Sequence, residues 1–270
     1  MFFGVGGKVT KIISISSPKG GVGKTTVAAN LSVALASFGK KVIVVDCNLS
    51  TPHLTYYISE QHHKLTLNDA LLGKADIKHA LYQENGVMYV PASSELNDIV
   101  DVDVTKLKKN ISRLVNEEMI DYIILDSAPG LGREALASME AADEVIFVAQ
   151  PLEPMLEDVA RVKEVLKEFG EKQSRVVLNM VRKAKYEVKQ KDFDRLTKTP
   201  VVGSIAFDEN IIKSVAARKP LLKFKPNSQA SLDFMDLAAN FLGVKYKKSA
   251  AKSFLKMFEA IRSKISAIGI

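Results

Sequence analysis

The stretch Ser17-Pro18-Lys19-Gly20-Gly21-Val22-Gly23-Lys24-Thr25-Thr26 decides the fold. It follows an apolar, β-branched run at residues 11–17 and opens a segment of helical period at 25–37. A strand that turns through glycines into a helix is the context a phosphate loop requires. Gly20, Gly21 and Gly23 let the backbone wrap closely, so that its N–H groups point at phosphate oxygens. The helix that starts near Thr25 adds its positive end. In that arrangement Lys24 reaches the β- and γ-phosphates, the Thr25 hydroxyl ligates Mg²⁺, and Thr26 touches the α-phosphate. Pro18 stands where the full consensus has glycine. The alternative, a glycine-rich turn with no ligand, fits this spacing and context poorly.

Outward from the loop, further apolar runs lie at 41–46, 87–90, 122–126, 145–149, 176–179 and 201–205. Helical patterns lie between them at 104–117, 133–142, 157–169 and 231–242, and Gly39 and Gly243 stand where helix C-termini are capped. Strand and helix in alternation predict an α/β fold: a P-loop NTPase-like, mostly parallel sheet with helices on both faces. Two aspartates end strands on the edge that carries the loop: Asp46 after Val42-Ile-Val-Val and Asp126 after Tyr122-Ile-Ile-Leu. There a carboxylate holds Mg²⁺ directly or through water. Taken singly, each also reads as a helix cap.

The 270 residues are 47% apolar and 26% charged, which is the make-up of a folded chain and excludes a disordered or collagen-like one. The single cysteine, Cys47, excludes a disulfide framework and a Cys-rich zinc or iron–sulfur site within one chain, and fits a reducing cytoplasm. No apolar run reaches the roughly 18 residues that span a bilayer. Residues 1–8 carry no basic flank followed by an apolar stretch, so no secretion signal is read. The net charge is +7, but residues 245–270 hold seven basic side chains against Glu259 alone. The body is therefore nearly neutral, which argues against a DNA-binding body. His53, His62, His63 and His79 show no ligand spacing and read as surface or loop residues, and Cys47 reads as packing.

The chain resembles the MinD/ParA family of deviant Walker-A ATPases, and most of all its MinD branch, over about residues 10–244 and the tail. Lys19, just before the glycines, matches the family's signature lysine. The resemblance implies that Lys19 crosses to the partner's phosphates in a homodimer closed around ATP. Asp126-Ser127-Ala128-Pro129-Gly130 resembles the second switch. Asn179 resembles the asparagine that reads the adenine edge, with Arg182 near the base. Residues 200–208, then Lys219-Pro220 and Pro226-Asn227-Ser228, resemble the C-terminal part of the family, which usually has proline where Ala206 stands.

One departure bears on mechanism. The first switch in the MinD pattern reads Asp-x-Asp, and its second aspartate orients or activates the attacking water; here it reads Asp46-Cys47-Asn48. An amide hydrogen-bonds a water but cannot take its proton. ATP binding with slow hydrolysis is expected.

At the other end, Phe254, Met257, Phe258, Ile261, Ile265 and Ile268 recur three or four residues apart, and Leu255 joins the apolar set. The six fall within an arc of about 100° on a helix, with Lys252, Lys256, Glu259, Ser263 and Ser266 opposite and Arg262 and Lys264 flanking. The pattern is that of an in-plane membrane helix, as MinD proteins carry, and the alternative is a helix docked on protein. The organisation read is therefore residues 1–244 as the ATPase domain, 245–252 as a basic linker and 253–270 as a membrane-targeting helix. The expected role is a cytoplasmic, peripherally membrane-bound ATPase switch with ATP and Mg²⁺ as ligands. It would form an ATP-dependent homodimer, engage an anionic membrane and an unidentified protein activator or effector, and place cell-division or other machinery. A ParA-like partition ATPase needs basic residues on the body, and Lys183, Lys185, Lys189 and Lys191 read instead as a solvated loop or helix. An ATP-binding scaffold is the other alternative, and the iron–sulfur carrier branch lacks its paired cysteines.

Overall fold

The computed structural model describes residues 9–99, 102–115 and 119–246. The tail residues Phe254, Leu255, Met257, Phe258, Ile261, Ile265 and Ile268 lie outside them. Strands are β1 Lys11–Ser16, β2 Val42–Cys47, β3 Tyr82–Glu84, β4 Val87–Val90, β5 Tyr122–Ser127, β6 Glu144–Ala149, β7 Gln173–Val181 and β8 Val201–Ala206. Helices are α1 Lys24–Ser37, α2 Thr55–Ile58, α3 Leu67–Leu71, α4 Leu107–Val115, α5 Arg133–Ala141, α6 Glu153–Leu166, α7 Gln190–Thr197, α8 Asn210–Ala216, α9 Leu221–Phe224 and α10 Gln229–Leu242.

The eight strands form one sheet in the order β3-β4-β2-β5-β1-β6-β7-β8, parallel except at β3–β4. The expected fold is the observed one. Successive strand residues point to opposite faces. Ile13, Ile15, Val42, Val44 and Ile124 therefore enter one core with α1, α6 and α10, while Ile43, Val45, Ile123 and Leu125 enter the other with α3, α4 and α5. Helix α1 packs on β1, β2 and β5 with α10, itself seated on β8, beside it, so residues 26–35 are all buried and it has no broad polar face. Chain connections turn opposite ways on the two sides of β1. That places the crevice used by open α/β sheets at the C-terminal end of β1, where the glycines lie.

Strand β3 was not legible, because three residues are too few to show a period. Its cue is Asn85-Gly86, both at positive φ (53° and 85°), the dipeptide of a tight hairpin turn. Helix α6 starts at Glu153, four residues earlier than the periodicity suggests. Pro154 sits in its first turn, where proline's missing N–H has no helical partner to lose. The pattern at 104–117 begins as a 3₁₀ turn, Val104–Lys106, before α4. Gly39 and Gly243 do cap α1 and α10, with φ of 78° and 65°. His63 lies in a loop, as expected, and is half-buried there. Its Nε2 shares a 2.8 Å hydrogen bond with the Tyr89 hydroxyl, its ring meets Tyr82 and Tyr89 edge-on, and burial lowers its pKa.

Candidate nucleotide site

Gly23 turns the chain from the loop into α1 at φ 90°, ψ 34°. A Cβ there would stand 2.2 Å from Asn179 Nδ2, so only glycine fits. Asn179 reaches the loop because β7 is irregular between Leu178 and Val181, where Met180 takes φ 59°. Its Nδ2 donates to the Val22 carbonyl at 2.8 Å, and its buried Oδ1 has no partner. The Gly130 N–H donates to the Ser17 carbonyl at 2.9 Å, which ties the segment after β5 to the first residue of the loop.

Lys24 is 8% exposed. Burial lowers its pKa, and the neighbouring Asp126 pulls it partly back. Asp126 is 1% exposed, and among the described residues neither carboxylate oxygen accepts a hydrogen bond of ordinary geometry. Burial raises its pKa to about 7. The Thr25 hydroxyl and the Lys24 ammonium counteract that rise, but neither closes a hydrogen bond of ordinary geometry on it. Asp46 is fully buried beside it, and its pKa lies well above the usual range, from burial first and Asp126 second. The N–H groups of Leu54 (3.0 Å), Asn48 (3.1 Å) and His53 partly offset this.

Buried carboxylate oxygens without donors call for a ligand. A divalent cation fits: Thr25 and Asp126 offer hard oxygen ligands, with Asp46 alongside. Among the described residues no three His, Cys, Asp or Glu side chains cluster as a closed metal cage. A cation here must complete its shell with water and phosphate oxygens, which is the habit of Mg²⁺.

A protein-family model described as an AAA domain matches residues 10–180. An uncharacterised ATP-binding protein of Methanocaldococcus jannaschii is 34% identical over 250 residues, covering 91% of this chain and 94% of that one. The crystal structure of the cell division ATPase MinD of Pyrococcus furiosus superposes with a TM-score of 0.81 at 32% identity, over 86% of this chain and 98% of that one. The chain belongs to the MinD/ParA family of P-loop ATPases. The septum site-determining protein MinD of Pyrococcus horikoshii, solved with Mg-ADP, is equally near, at TM-score 0.81, 32% identity, and 86% and 96% coverage.

Within this MinD/ParA member, the residues singled out by sequence take different places. Gly20, Gly21, Val22 and Gly23 form the turn and Lys24, Thr25 and Thr26 the first residues of α1, with Asp46 and Asp126 at the strand ends on the same edge. Lys19 is swung away to α6, its Nζ 2.9 Å from Asp158 Oδ2. Arg182 lays its guanidinium 3.5 Å from the Phe207 ring centroid. The Asp208 carboxylate is taken by Asn210 N (2.9 Å), Asn210 Nδ2 (2.6 Å) and Ala230 N (3.4 Å). The Asn48 amide closes on its own loop. Its Nδ2 donates to the Thr51 carbonyl at 2.5 Å, and its Oδ1 accepts from Thr51 Oγ1 at 3.2 Å. Lys183, Lys185, Lys189 and Lys191 are exposed, in the loop before α7 and at its start. Sequence reasoning missed Asp158, Ser50 and Glu134. Only Glu134 left a cue, as an acidic residue in the first helical turn after the second switch.

Proposed function

We propose that this chain is an ATP-binding, slowly hydrolysing switch that dimerises around ATP and Mg²⁺ and attaches peripherally to an anionic membrane to position cell-division or other machinery. The observation that carries it is the buried, donor-less Asp126 beside Lys24 and Thr25 at the turn of Gly23. The loop N–H groups, Lys24 and Thr26 would hold phosphates; Thr25, Asp126 and Asp46 would hold Mg²⁺, which supplies charge neutralisation on the β- and γ-oxygens. Lys19 would leave Asp158 and reach the partner's phosphates. Asn179 would offer its free Oδ1 to the base, with Arg182 on Phe207 beside it. The names of the two Pyrococcus proteins, a cell division ATPase and a septum site-determining protein bound to Mg-ADP, support the same reading.

Each basic residue near an anionic leaflet contributes about 1 kcal/mol, and two tails on one dimer multiply avidity by roughly 10²–10⁴. ATP-driven dimerisation would then place the protein on the inner face of the cell membrane, and hydrolysis would release it. Among the described residues no helix is long and apolar enough to cross a membrane. The test is ATP turnover and liposome sedimentation for the full chain and for a chain ending at Gly243. ATP-dependent sedimentation by the full chain alone is expected; equal binding with ATP, ADP and no nucleotide overturns the coupling. A scaffold that binds ATP with little turnover is the second reading, favoured by the Asn48 amide closed on Thr51, and turnover near zero throughout would select it. Stimulation by DNA in place of liposomes would select the partition reading.

A further inference from the structure

Hydrolysis at this site must dispose of the attacking water's proton without an aspartate at position 48. Resting on the ATPase reading above, we propose that Glu134 accepts that proton through the Ser50 hydroxyl.

The other acids on this edge are engaged. Asp46 and Asp126 belong to the cation site. Asp158 holds Lys19, Asp208 holds Asn210 and Ala230, and Glu187 accepts the Arg182 N–H at 2.7 Å. Glu134, in the first turn of α5, is half-buried, and no ion pair to it occurs among the described residues. It reaches instead into the first switch. Ser50 Oγ donates a short hydrogen bond to Glu134 Oε1, and the Ser50 N–H lies 3.4 Å from Oε2.

The placement of Ser50 follows from its own loop. Residues 48–54 arch over Asp46, whose carboxylate holds the N–H groups of Asn48, His53 and Leu54. Ser50 sits on that arch beyond Asn48. The Cys47 thiol feels Glu134 as well as Asp46 and Asp126, and all three add to the burial that raises its pKa. The carboxylate therefore acts in the same electrostatic neighbourhood as the cation site. Its place in a first helical turn is one that favours negative charge.

The step balances without a further reactant. The water oxygen bonds to the γ-phosphorus as the bond to the β–γ bridging oxygen breaks, and that electron pair stays on ADP. The water proton moves to Ser50 Oγ, and the Ser50 proton moves to Glu134 Oε1. The glutamic acid then loses it to solvent. Glu134 acts through Ser50 and is a positioning and proton-accepting residue, not one in contact with the phosphate.

Single-turnover hydrolysis of Mg-ATP by the full chain tests this, with E134Q, E134A, S50A, N48D and N48D/E134Q compared and ATP affinity measured separately. General-base loss commonly costs about 10²–10⁴-fold. E134Q and S50A are expected to slow cleavage on the order of 10²-fold while ATP affinity holds within about twofold. In the N48D background, where the introduced carboxylate takes the proton directly, adding E134Q should cost no more than about threefold. Formate should restore part of the E134A rate, as it would not for a merely structural loss. An unchanged E134Q rate overturns the proposal, as does an equal loss in both backgrounds or a collapse of ATP affinity in E134Q. A wild-type chain that binds ATP and never cleaves it overturns the ATPase reading too, and shows itself before any variant is compared.

Discussion

Asp46 and Asp126 stand opposite each other in register on adjoining parallel strands, β2 and β5, at the edge of the sheet where the phosphate loop begins. Register partners present their side chains to the same face, so two fully enclosed carboxylates are neighbours. A hydrophobic pair would stabilise the fold better. The arrangement makes physical sense as half of a cation shell, left for a ligand to complete.

The first prediction follows from Asp126. Its folded pKa is about 7, above the roughly 3.9 of an unfolded aspartate. Between those values the folded chain binds more protons than the unfolded one, so stability falls as pH rises from about 4 to about 7, by a few kcal/mol. Asp126→Asn should raise the melting temperature of the nucleotide-free protein at pH 8 and remove Mg²⁺-dependent nucleotide affinity. In the wild type, Mg²⁺ affinity should fall as pH drops below about 7, because the cation must displace a proton. Melting curves and titrations from pH 5 to 8 check both, and a flat profile contradicts the assignment.

Gly23→Ala should cost on the order of 2 kcal/mol and abolish nucleotide binding. The new Cβ meets Asn179 at 2.2 Å, and φ 90° disfavours any L side chain. Gly39→Ala, also at positive φ but with nothing near its Cβ, is the control. It should lose stability from backbone strain yet keep nucleotide affinity. Denaturant melts and nucleotide titrations of both variants separate the two effects.

Asn179 should confer preference for ATP over inosine triphosphate. One of its two Nδ2 N–H groups donates to Val22, and its buried Oδ1 is an acceptor without a partner among the described residues. The adenine amino group can satisfy it and the inosine oxygen cannot. An unsatisfied buried group costs about 1–3 kcal/mol, or roughly 5- to 150-fold in affinity. Competition binding with both nucleotides should show that ratio, and Asn179→Ala should erase it.

Asp158→Ala should favour the ATP-bound dimer. The Lys19–Asp158 pair is partly exposed, and such pairs contribute up to about 1 kcal/mol, so its loss should free Lys19 and tighten dimerisation up to about fivefold. Lys19→Ala should abolish the dimer. Sedimentation velocity with a non-hydrolysable ATP analogue tests both; a Lys19→Ala dimer of wild-type strength would remove Lys19 from the interface.

The loop, its glycines, and the ends of β2 and β5 were legible because their chemistry is local. Hydrophobic periodicity and the loop's spacing hold within a few residues of chain, and one strand–helix unit contains them. Asn179 was placed near the nucleotide by resemblance, but its bond to Val22 spans 157 positions and depends on how β7 bends at Met180. Asp208 joins α8 to α10: Asn210 is its neighbour in the chain, but Ala230, 22 positions on, reaches it only through packing.

What the sequence determined by itself is the α/β alternation, the phosphate loop and which residue types stand on its edge. These follow from side-chain period and glycine's conformational freedom, which need no distant partner. Only the tertiary structure decided that Asp46 faces Asp126, that Lys19 rests on Asp158, that Asn48 closes on Thr51 and that Glu134 reaches Ser50. The Asn48–Thr51 closure follows from the arch of its loop over Asp46, the other pairings depend on strand register or on the seating of a helix against the sheet, and burial then shifts the ionisation of the enclosed groups by withdrawing water that no one-dimensional pattern records.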